Sequence, residues 1–302
     1  MPTFPEFLNR GDKIAVVAPA RKISLLEIQP FIQLAEKQGF EVVYTPGLFE
    51  IENQFAGNDE HRAAEFQYWL DHRDVKAIIS ARGGYGTGRI IDRIDFTKFA
   101  MHPKWLIGFS DFTVVHNHIN SLFDIATLHA IMPVYAKSGS LPEVLQSFEW
   151  MFDILKGKIP QYTMPEHELS NKGNCEGILV GGNLSVIYSM MGSESELDTA
   201  GCILFLEDLD EYLYHVDRMM LCLKRAGKLN NINGMIVGHM NSMHDNAIPF
   251  GKSVEEIIKE QASLKPIPIY FGFDGGHLNP NLPLIFGSQV KIEDNCLNFE
   301  IL

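Results

Sequence analysis

The sequence WLIGFSDFT, residues 105–113, places an apolar run before Gly108, then Ser110 and Asp111, and then residues that can begin a helix. This order predicts a strand, a sharp turn that exposes the Ser110 hydroxyl at the carboxyl end of the strand, and a helix. In such a nucleophile elbow, the backbone N–H after the nucleophile and the positive end of the helix lie where an oxyanion forms. The alternative is that Ser110 is only a helix N-cap, because Ser and Asp are favoured before any helix.

Alternating strand and helix patterns surround this stretch. Apolar runs predict buried parallel strands, and segments that begin at Ser24 or Asn58 predict helices between them. The predicted strands are 13–19, 41–44, 77–80, 106–109 and 125–128, and the predicted helices include 24–38 and 113–122. Strands that alternate with helices at this spacing are typical of a parallel, doubly wound α/β sheet. Ligands of such sheets bind beyond the carboxyl ends of the strands, which is where Ser110 falls.

The composition changes after a predicted helix near 141–156. Residues 160–173 are polar and rich in Pro, Gly and Asn, which is typical of a linker. Strand and helix patterns then resume, and the chain closes with short β segments at 284–286, 290–292 and 297–301. We therefore predict a parallel α/β domain over residues 1–165 and a smaller mixed α/β domain over residues 166–302.

The chain has 302 residues and a formal net charge of −13. This charge argues against nucleic acid or an anionic membrane as a partner, because neutralising phosphates takes clustered Lys and Arg. Four widely spaced cysteines without a CxxC pair predict neither a disulfide framework nor a zinc knuckle. The N-terminus lacks the pattern of a signal peptide and no apolar run is as long as a membrane span, so we expect a cytoplasmic protein with reduced thiols.

A glycine-rich loop, ARGGYGTGR at 81–89, follows the third predicted strand. It lacks the Gly-Lys-Ser/Thr of a P-loop, and its glycine spacing and position do not match the dinucleotide fingerprint. Glycines at a strand end let the backbone approach a ligand and turn N–H groups toward it, so the loop is a candidate donor to an oxyanion hole. The alternative is a tight turn, but four glycines in six residues exceed the need of one turn.

A nucleophilic serine needs a base within hydrogen-bond reach and an acid that orients the base. His277 is the strongest candidate base, because it lies in a loop just after a strand, with glycines before it and prolines after it. Such a loop can hold one imidazole in place; a histidine in an ordinary turn is the alternative. His129, at the end of a strand, is a weaker candidate.

The remaining histidines give weaker signals. His116 and His118 are two residues apart on a predicted helix and point to different faces, so they make a poor metal pair. His239 and His244 flank a loop and could bind a metal with Asp245, but no acidic cluster completes a site. We therefore predict no metal centre.

The candidate acids lie where the apolar strand ILFL, residues 203–206, ends in Glu207 and Asp208. A carboxylate at a strand end can accept a hydrogen bond from a histidine N–H. Acids also end strands for structural reasons, and the spacing does not choose between Glu207 and Asp208.

Five motifs together resemble the LD-carboxypeptidases, serine peptidases that include the murein tetrapeptide carboxypeptidases and the microcin C self-immunity proteins. The motifs lie in order and at compatible spacing over almost the whole chain. They are Gly108-Phe-Ser110-Asp111, Arg82-Gly-Gly84-Tyr-Gly86, Gly181-Gly-Asn183-Leu-Ser185, Leu206-Glu207-Asp208 and Gly276-His277-x-x-Pro280-Asn281-x-Pro283.

The resemblance implies a Ser–Glu–His triad of Ser110, Glu207 and His277, with an oxyanion hole made by the backbone N–H groups of Gly84 and Asp111. It further implies a cytoplasmic, metal-independent and commonly dimeric enzyme without a cofactor. Its substrate would be a murein tetrapeptide, cleaved between the L-centre of a diamino acid and the terminal D-Ala. The triad would then span both domains, with the site in the cleft between them.

Three further residues are candidates for substrate contacts: Arg82, Tyr85 and Asn183. Arg82 could equally make a structural ion pair.

Three other functions remain open. An amidase that inactivates microcin C-type antibiotics is expected to carry extra loop sequence, and no long insertion separates Glu207 from His277. An α/β-hydrolase shares the chain order Ser, acid, His, but its elbow has a glycine where this chain has Phe112. A non-catalytic protein that binds a ligand in the cleft is the third alternative.

Overall fold

The computed structural model describes residues 2–138, 141–262 and 265–301, which form two β-sheets flanked by helices. The first sheet has the strand order β11-β5-β4-β3-β1-β2. Its strands are β1 (Lys13–Val17), β2 (Glu41–Val43), β3 (Val75–Ser80), β4 (Trp105–Gly108), β5 (Thr127–His129) and β11 (Leu284–Phe286). All neighbours pair in parallel except β11, which is antiparallel to β5. The predicted parallel α/β sheet is confirmed.

Helices cover both faces of this sheet because successive strand residues point to opposite sides. Ile14 and Val16 pack with α1 (Leu25–Lys37) and α5 (Pro142–Leu155) on one face. Ala15 and Val17 pack on the other face with α2 (Asp59–Asp71), α3 (Thr97–Met101) and α4 (Thr113–Phe123). The strands are therefore buried on both sides, which explains their unbroken apolar sequences.

The second sheet has the order β10-β9-β8-β7-β12-β13-β6. Its strands are β6 (Gln161–Thr163), β7 (Cys175–Asn183), β8 (Ile203–Leu209), β9 (Gly234–Asn241), β10 (Ile269–Phe271), β12 (Gln289–Glu293) and β13 (Cys296–Glu300). Strands β7 to β10 are parallel and the others antiparallel, so the predicted mixed α/β domain is confirmed. One face packs against α6 (Leu184–Ser189), α7 (Leu213–Arg225) and α8 (Val254–Ala262).

Two short strands each belong to the sheet on the other side of the sequence boundary predicted at residue 165. Strand β6 precedes that boundary but pairs with β13 in the second sheet, so part of the predicted linker is a strand. Strand β11 follows the boundary but pairs with β5 in the first sheet. The chain therefore passes between the two sheets three times, and the division at residue 165 stays a prediction.

The two sheets meet near the carboxyl end of β7. The start of α4 contacts the end of β7, where the Asn183 N–H donates to Thr113 Oγ1 over 3.1 Å. A Cβ on Gly182 would lie 2.5 Å from Thr113 Oγ1, so this close approach requires glycine. The elbow between β4 and α4 therefore lies where the sheets meet. None of the helices in the described ranges has the length and apolar character needed to cross a membrane.

Candidate active site

Ser110 lies in a strained elbow between β4 and α4. Its φ is +62°, a left-handed conformation that is uncommon for a residue other than glycine and is typical of nucleophile elbows. The strand end before it is held by His116, which lies fully buried on α4. His116 Nε2 donates to the Gly108 carbonyl over 2.8 Å, and Nδ1 accepts from Thr127 Oγ1 over 2.8 Å. Burial lowers the pKa of His116 to about 4, so it holds the elbow as a neutral ring.

The glycine-rich loop lies against this elbow. A Cβ on Gly83 would lie 3.0 Å from Ser110 Oγ, which shows how closely the loop backbone approaches the hydroxyl. The loop is tied to the elbow by Asp111, whose buried carboxylate accepts from the Thr87 N–H over 2.8 Å. Burial is the main reason that the pKa of Asp111 is raised. Gly84, with a φ of +120°, continues the loop past Ser110.

Of the two predicted oxyanion-hole donors, Asp111 directly follows Ser110 in the chain, and Gly84 follows Gly83, the residue whose Cβ would lie 3.0 Å from Ser110 Oγ. Within residues 2–138, 141–262 and 265–301, no loop or side-chain hydrogen bond is donated by the backbone N–H of Gly84. Two such groups beside a hydroxyl can stabilise an oxyanion that forms on a substrate carbonyl.

Arg62 anchors the far side of the loop, and sequence reasoning missed it. The guanidinium is buried and donates to the Pro19 carbonyl, to the Gly86 carbonyl over 2.9 Å, and to Asp59. Its position could have been suspected, since Arg62 lies four residues before Phe66 on the buried face of α2.

His277 and Glu207 form a buried pair. His277 Nδ1 lies 2.6 Å from Glu207 Oε2, and the Glu207 side chain is fully buried at the end of β8. Burial by itself lowers the pKa of His277, but the charge and hydrogen bond of Glu207 outweigh it, so the pKa is raised. Because the carboxylate only accepts, His277 carries its proton on Nδ1 and presents Nε2 as a base.

The loop that carries His277 is fixed from both domains. Gly276 has a φ of +115°, and a Cβ there would lie 2.7 Å from Glu207 Oε2, so only glycine fits beside the carboxylate. The Gly276 N–H donates to Asn281 Oδ1 over 3.0 Å. The Asn281 N–H in turn donates over 2.9 Å to Ser147 Oγ on α5 of the first domain.

The structure also resolves the choice between Glu207 and Asp208 as the partner of His277. Asp208 accepts from Asn183 Nδ2 over 2.9 Å and from the Ser185 N–H over 2.8 Å, at the start of α6. Burial, followed by the charge of Glu207, raises the pKa of Asp208 to about 7. Glu207 therefore faces the imidazole, and Asp208 supports α6.

Phe109, the residue before Ser110, contacts His277. The Phe109 and His277 ring centroids are 4.8 Å apart, which brings the imidazole against the residue next to Ser110. No hydrogen bond joins Ser110 Oγ to His277 within the described part of the chain. Hydrogen bonds between catalytic groups are often long in free enzymes and tighten when substrate binds.

Tyr135 also contacts this group, although no motif or pattern in the sequence indicates it. Its ring packs against Phe109 at 5.6 Å. Burial and the charge of Glu207 raise the pKa of Tyr135 to about 12, against the opposing charge of Arg82. Tyr135 therefore packs beside the site as a neutral side chain.

The three candidates for substrate contacts differ in their surroundings. Asn183 is buried and uses both ends of its amide internally, with Asp208 and with the Val186 N–H. Tyr85 is 54% exposed and packs near Phe55. Arg82 Nη1 donates to the Lys22 carbonyl over 3.3 Å and lies 4.0 Å from Glu27. Substrate contacts by these residues remain predictions, and the surroundings of Asn183 indicate a structural role.

The other histidines pair elsewhere. His239 lies 3.3 Å from Asp274, and His244 lies 2.6 Å from Asp210. His129 is fully buried against Phe109 and Phe205, with no hydrogen-bond partner for its nitrogens in the described ranges. No group of three or more His, Cys, Asp or Glu side chains that could hold a metal occurs in the part of the chain that the structure describes.

Comparisons with known proteins cover both domains. Residues 14–130 match the profile of the LD-carboxypeptidase N-terminal domain, and residues 176–292 match that of the C-terminal domain. A probable murein peptide carboxypeptidase of Bacillus subtilis is 32% identical over 296 residues, which covers 95% of this chain and 91% of the relative.

Two solved structures extend the likeness to the whole fold. A muramoyltetrapeptide carboxypeptidase from Oxalobacter formigenes superimposes with a TM-score of 0.86 at 25% identity, covering 96% of this chain and 99% of that one. The microcin C7 self immunity protein MccF, in complex with aspartyl sulfamoyl adenosine, gives a TM-score of 0.89 at 24% identity, with 99% of each chain covered. At that identity the second likeness concerns the fold alone.

Proposed function

This chain belongs to the LD-carboxypeptidase family, and we propose that it is a serine peptidase that removes the terminal D-Ala from murein tetrapeptides. The proposal assigns the nucleophile to Ser110, the base to His277 and the orienting acid to Glu207. The chain's similarity to named murein carboxypeptidases over nearly its whole length supports the substrate class.

One observation carries the catalytic assignment: the His277–Glu207 hydrogen bond of 2.6 Å, buried beside the strained Ser110 elbow. The three groups are far apart in the sequence, and the two domains contribute them together. A buried carboxylate that raises the pKa of an imidazole next to a serine elbow is the arrangement that activates a serine hydroxyl.

In the proposed reaction, Ser110 Oγ attacks the carbonyl carbon of the bond before D-Ala, and His277 Nε2 takes the hydroxyl proton. The N–H groups of Gly84 and Asp111 stabilise the oxyanion of the tetrahedral intermediate. The carbon–nitrogen bond then breaks as His277 returns the proton to the D-Ala amine. Water hydrolyses the acyl-enzyme by the same route and releases the shortened peptide. Glu207 keeps the imidazole in the productive tautomer and stabilises its charged form.

The first test replaces the nucleophile. Purified Ser110→Ala is expected to lose hydrolysis by several orders of magnitude, because no acyl-enzyme can form, while its unfolding temperature stays near that of the wild type. Release of D-Ala from a defined tetrapeptide, measured beside thermal unfolding, gives both values. Near-normal D-Ala release by the folded variant would show that the nucleophile is wrongly assigned.

The same assay separates the remaining candidate functions. A carboxypeptidase releases D-Ala from the tetrapeptide, whereas an amidase of the microcin C self-immunity type cleaves processed microcin and leaves the tetrapeptide intact. A non-catalytic cleft protein cleaves neither and fails to react with a fluorophosphonate probe. The cytoplasmic location, the homodimer and the role in recycling wall peptides stay predictions from the family.

A further inference from the structure

Arg82 directly precedes the part of the glycine-rich loop that touches the nucleophile. Its neighbour Gly83 is the residue whose Cβ would lie 3.0 Å from Ser110 Oγ. The Ser80 hydroxyl donates to the Arg82 carbonyl over 3.0 Å, which fixes the backbone at this point. The Arg82 backbone, from which the guanidinium extends, is therefore fixed one residue away from the contact with Ser110.

The Arg82 guanidinium has few partners for its five donors. Nη1 makes one long hydrogen bond, 3.3 Å, to the Lys22 carbonyl, and its separation from Glu27 is 4.0 Å. Glu27 already accepts from the Ser24 N–H and hydroxyl as part of the cap of α1, and Lys137 lies 3.7 Å from it. Arg82 Nε is buried and has no acceptor in the described part of the chain. Leaving a buried donor of a charged group unpaired is costly, so this arrangement points to a missing anionic partner.

Other arginines of the same region are fully paired by comparison. Arg89, at the end of the same loop, makes two hydrogen bonds of 2.9 and 2.7 Å to Asp59. Arg62 uses its buried donors on carbonyls and on Asp59. Arg82 is therefore held less closely by the protein than Arg62 and Arg89 are.

Arg21 adds a second positive charge at this place. Its side chain lies across Gly84, since a Cβ on Gly84 would be 2.5 Å from Arg21 Cδ. No ion pair of Arg21 occurs within residues 2–138, 141–262 and 265–301. Arg82 reaches toward the same segment through its bond to the Lys22 carbonyl. Two guanidinium groups, one without an ion pair in the described ranges and one with only the 4.0 Å pair to Glu27, thus lie along the loop that contacts Ser110, in a protein whose net charge is −13.

We propose that Arg82, assisted by Arg21, binds the C-terminal carboxylate of the substrate and thereby restricts cleavage to the last peptide bond. This inference rests on the proposed function, because it concerns the same site. A terminal residue carries its carboxylate within one residue length of the scissile bond, at most about 3.6 Å along an extended chain. A planar guanidinium with an unpartnered Nε, on the residue before the one that contacts the nucleophile, suits that position and can bind both carboxylate oxygens. An internal peptide bond offers no carboxylate there and leaves Arg82 unpaired.

The experiment compares a tetrapeptide that ends in a free carboxylate with the same peptide ending in a carboxamide. The wild type is expected to prefer the acid in kcat/KM by roughly 10- to 100-fold, the range for a hydrogen-bonded charge pair. In Arg82→Gln this ratio is expected to approach 1, with most of the loss in KM for the acid and little change for the amide. Arg82→Lys should restore part of the ratio, since charge returns without the planar fork.

Arg89→Gln is the matched control. It removes the same charge from the same loop, but from a guanidinium that Asp59 already neutralises. The acid-to-amide ratio of Arg89→Gln is expected to equal that of the wild type. Arg21→Gln should lower the ratio by less than Arg82→Gln does.

The outcomes separate this inference from the proposed function. If the wild type releases D-Ala from the acid and cleaves the amide equally well, the carboxypeptidase proposal stands and the role of Arg82 is refuted. If Arg82→Gln lowers kcat/KM for the acid and for the amide by the same factor, Arg82 has only a structural role. Glu27→Gln should then lower both values in the same way. If the wild type cleaves neither peptide, the proposed function itself is wrong.

Discussion

At the scale of single residues, the candidate site depends on how burial and charge act on one imidazole. Burial opposes the charged form of His277, whereas Glu207, 2.6 Å away, favours it strongly enough to raise the pKa. Burial is the main reason that the pKa values of Asp208 and Tyr135 are raised, and the charge of Glu207 adds to it, so both neighbours hold their protons more tightly than usual. Glu207 thus acts on the proton equilibria of all three groups.

The pH profile tests this arrangement. His277 must be neutral to accept the Ser110 proton, so kcat/KM is expected to rise with pH through a midpoint above the ordinary imidazole value of 6.5. Glu207→Gln removes the charge that stabilises the imidazolium, so the midpoint should move to lower pH while the maximal rate falls. Glu211→Gln is the control, because Glu211 lies 2.5 Å from a different histidine, His215. An unchanged midpoint in Glu207→Gln would contradict the pairing.

At the scale of secondary-structure elements, loops at strand ends position the reacting groups, and glycine allows them to approach. Gly83 lets the loop after β3 touch Ser110, and Gly276 lets the loop after β10 place His277 on Glu207. Both positions would carry a Cβ within 3.0 Å of a functional side chain. These two glycines therefore allow the turns to form and also allow the loops to approach the functional side chains closely.

Gly276→Ala tests this role. The added Cβ would lie 2.7 Å from Glu207 Oε2, so we expect the carboxylate to be displaced from His277 and kcat/KM to fall by at least about 10-fold. The matched control is Gly192→Ala, because Gly192 also has positive φ, +83°, but no atom within 4 Å of a new Cβ. Both variants should lose stability from backbone strain, by more than about 0.4–1 kcal/mol. Equal activity of the two would rule out a special role for Gly276.

At the scale of the whole molecule, the site exists only because two domains meet. The Asn281–Ser147 and Asn183–Thr113 hydrogen bonds join the domains on either side of the candidate triad. The first of these fixes the His277 loop from the outside, since Asn281 also accepts from Gly276. We therefore expect interdomain packing to be a condition for catalysis by the proposed triad in addition to a contribution to stability.

Ser147→Ala is expected to weaken this connection. Removing Oγ leaves the buried Asn281 N–H without an acceptor, which should lower the free energy of unfolding by about 1–3 kcal/mol. Activity should fall as well, because the His277 loop loses its anchor. Ser189→Ala removes only a hydroxyl bond within its own helix, to Val186, and serves as the control for urea unfolding and D-Ala release. If Ser147→Ala matches this control in both measurements, the domain contact does not support the site.

The sequence by itself determined the local features of this protein. A parallel α/β sheet with a nucleophile elbow was predicted from the unbroken apolar strands, the glycine-rich loop and the position of Ser110 between a strand and a helix. The fold is confirmed. These features are visible in sequence because periodicity and turn chemistry act between near neighbours. Family resemblance then pointed to Glu207 and His277, although spacing alone left Asp208 open.

Only the tertiary structure decided which side chains meet. Arg62 reaches a carbonyl 24 residues away, and Asn281 binds Ser147 across 134 residues. The same holds for Tyr135, and for Glu207 as the partner of His277 across 70 residues. Sequence patterns carry no signal for such pairs, because the energy of a hydrogen bond or ion pair depends on distance and burial in the folded chain. These contacts therefore became visible only when the two sheets were packed together.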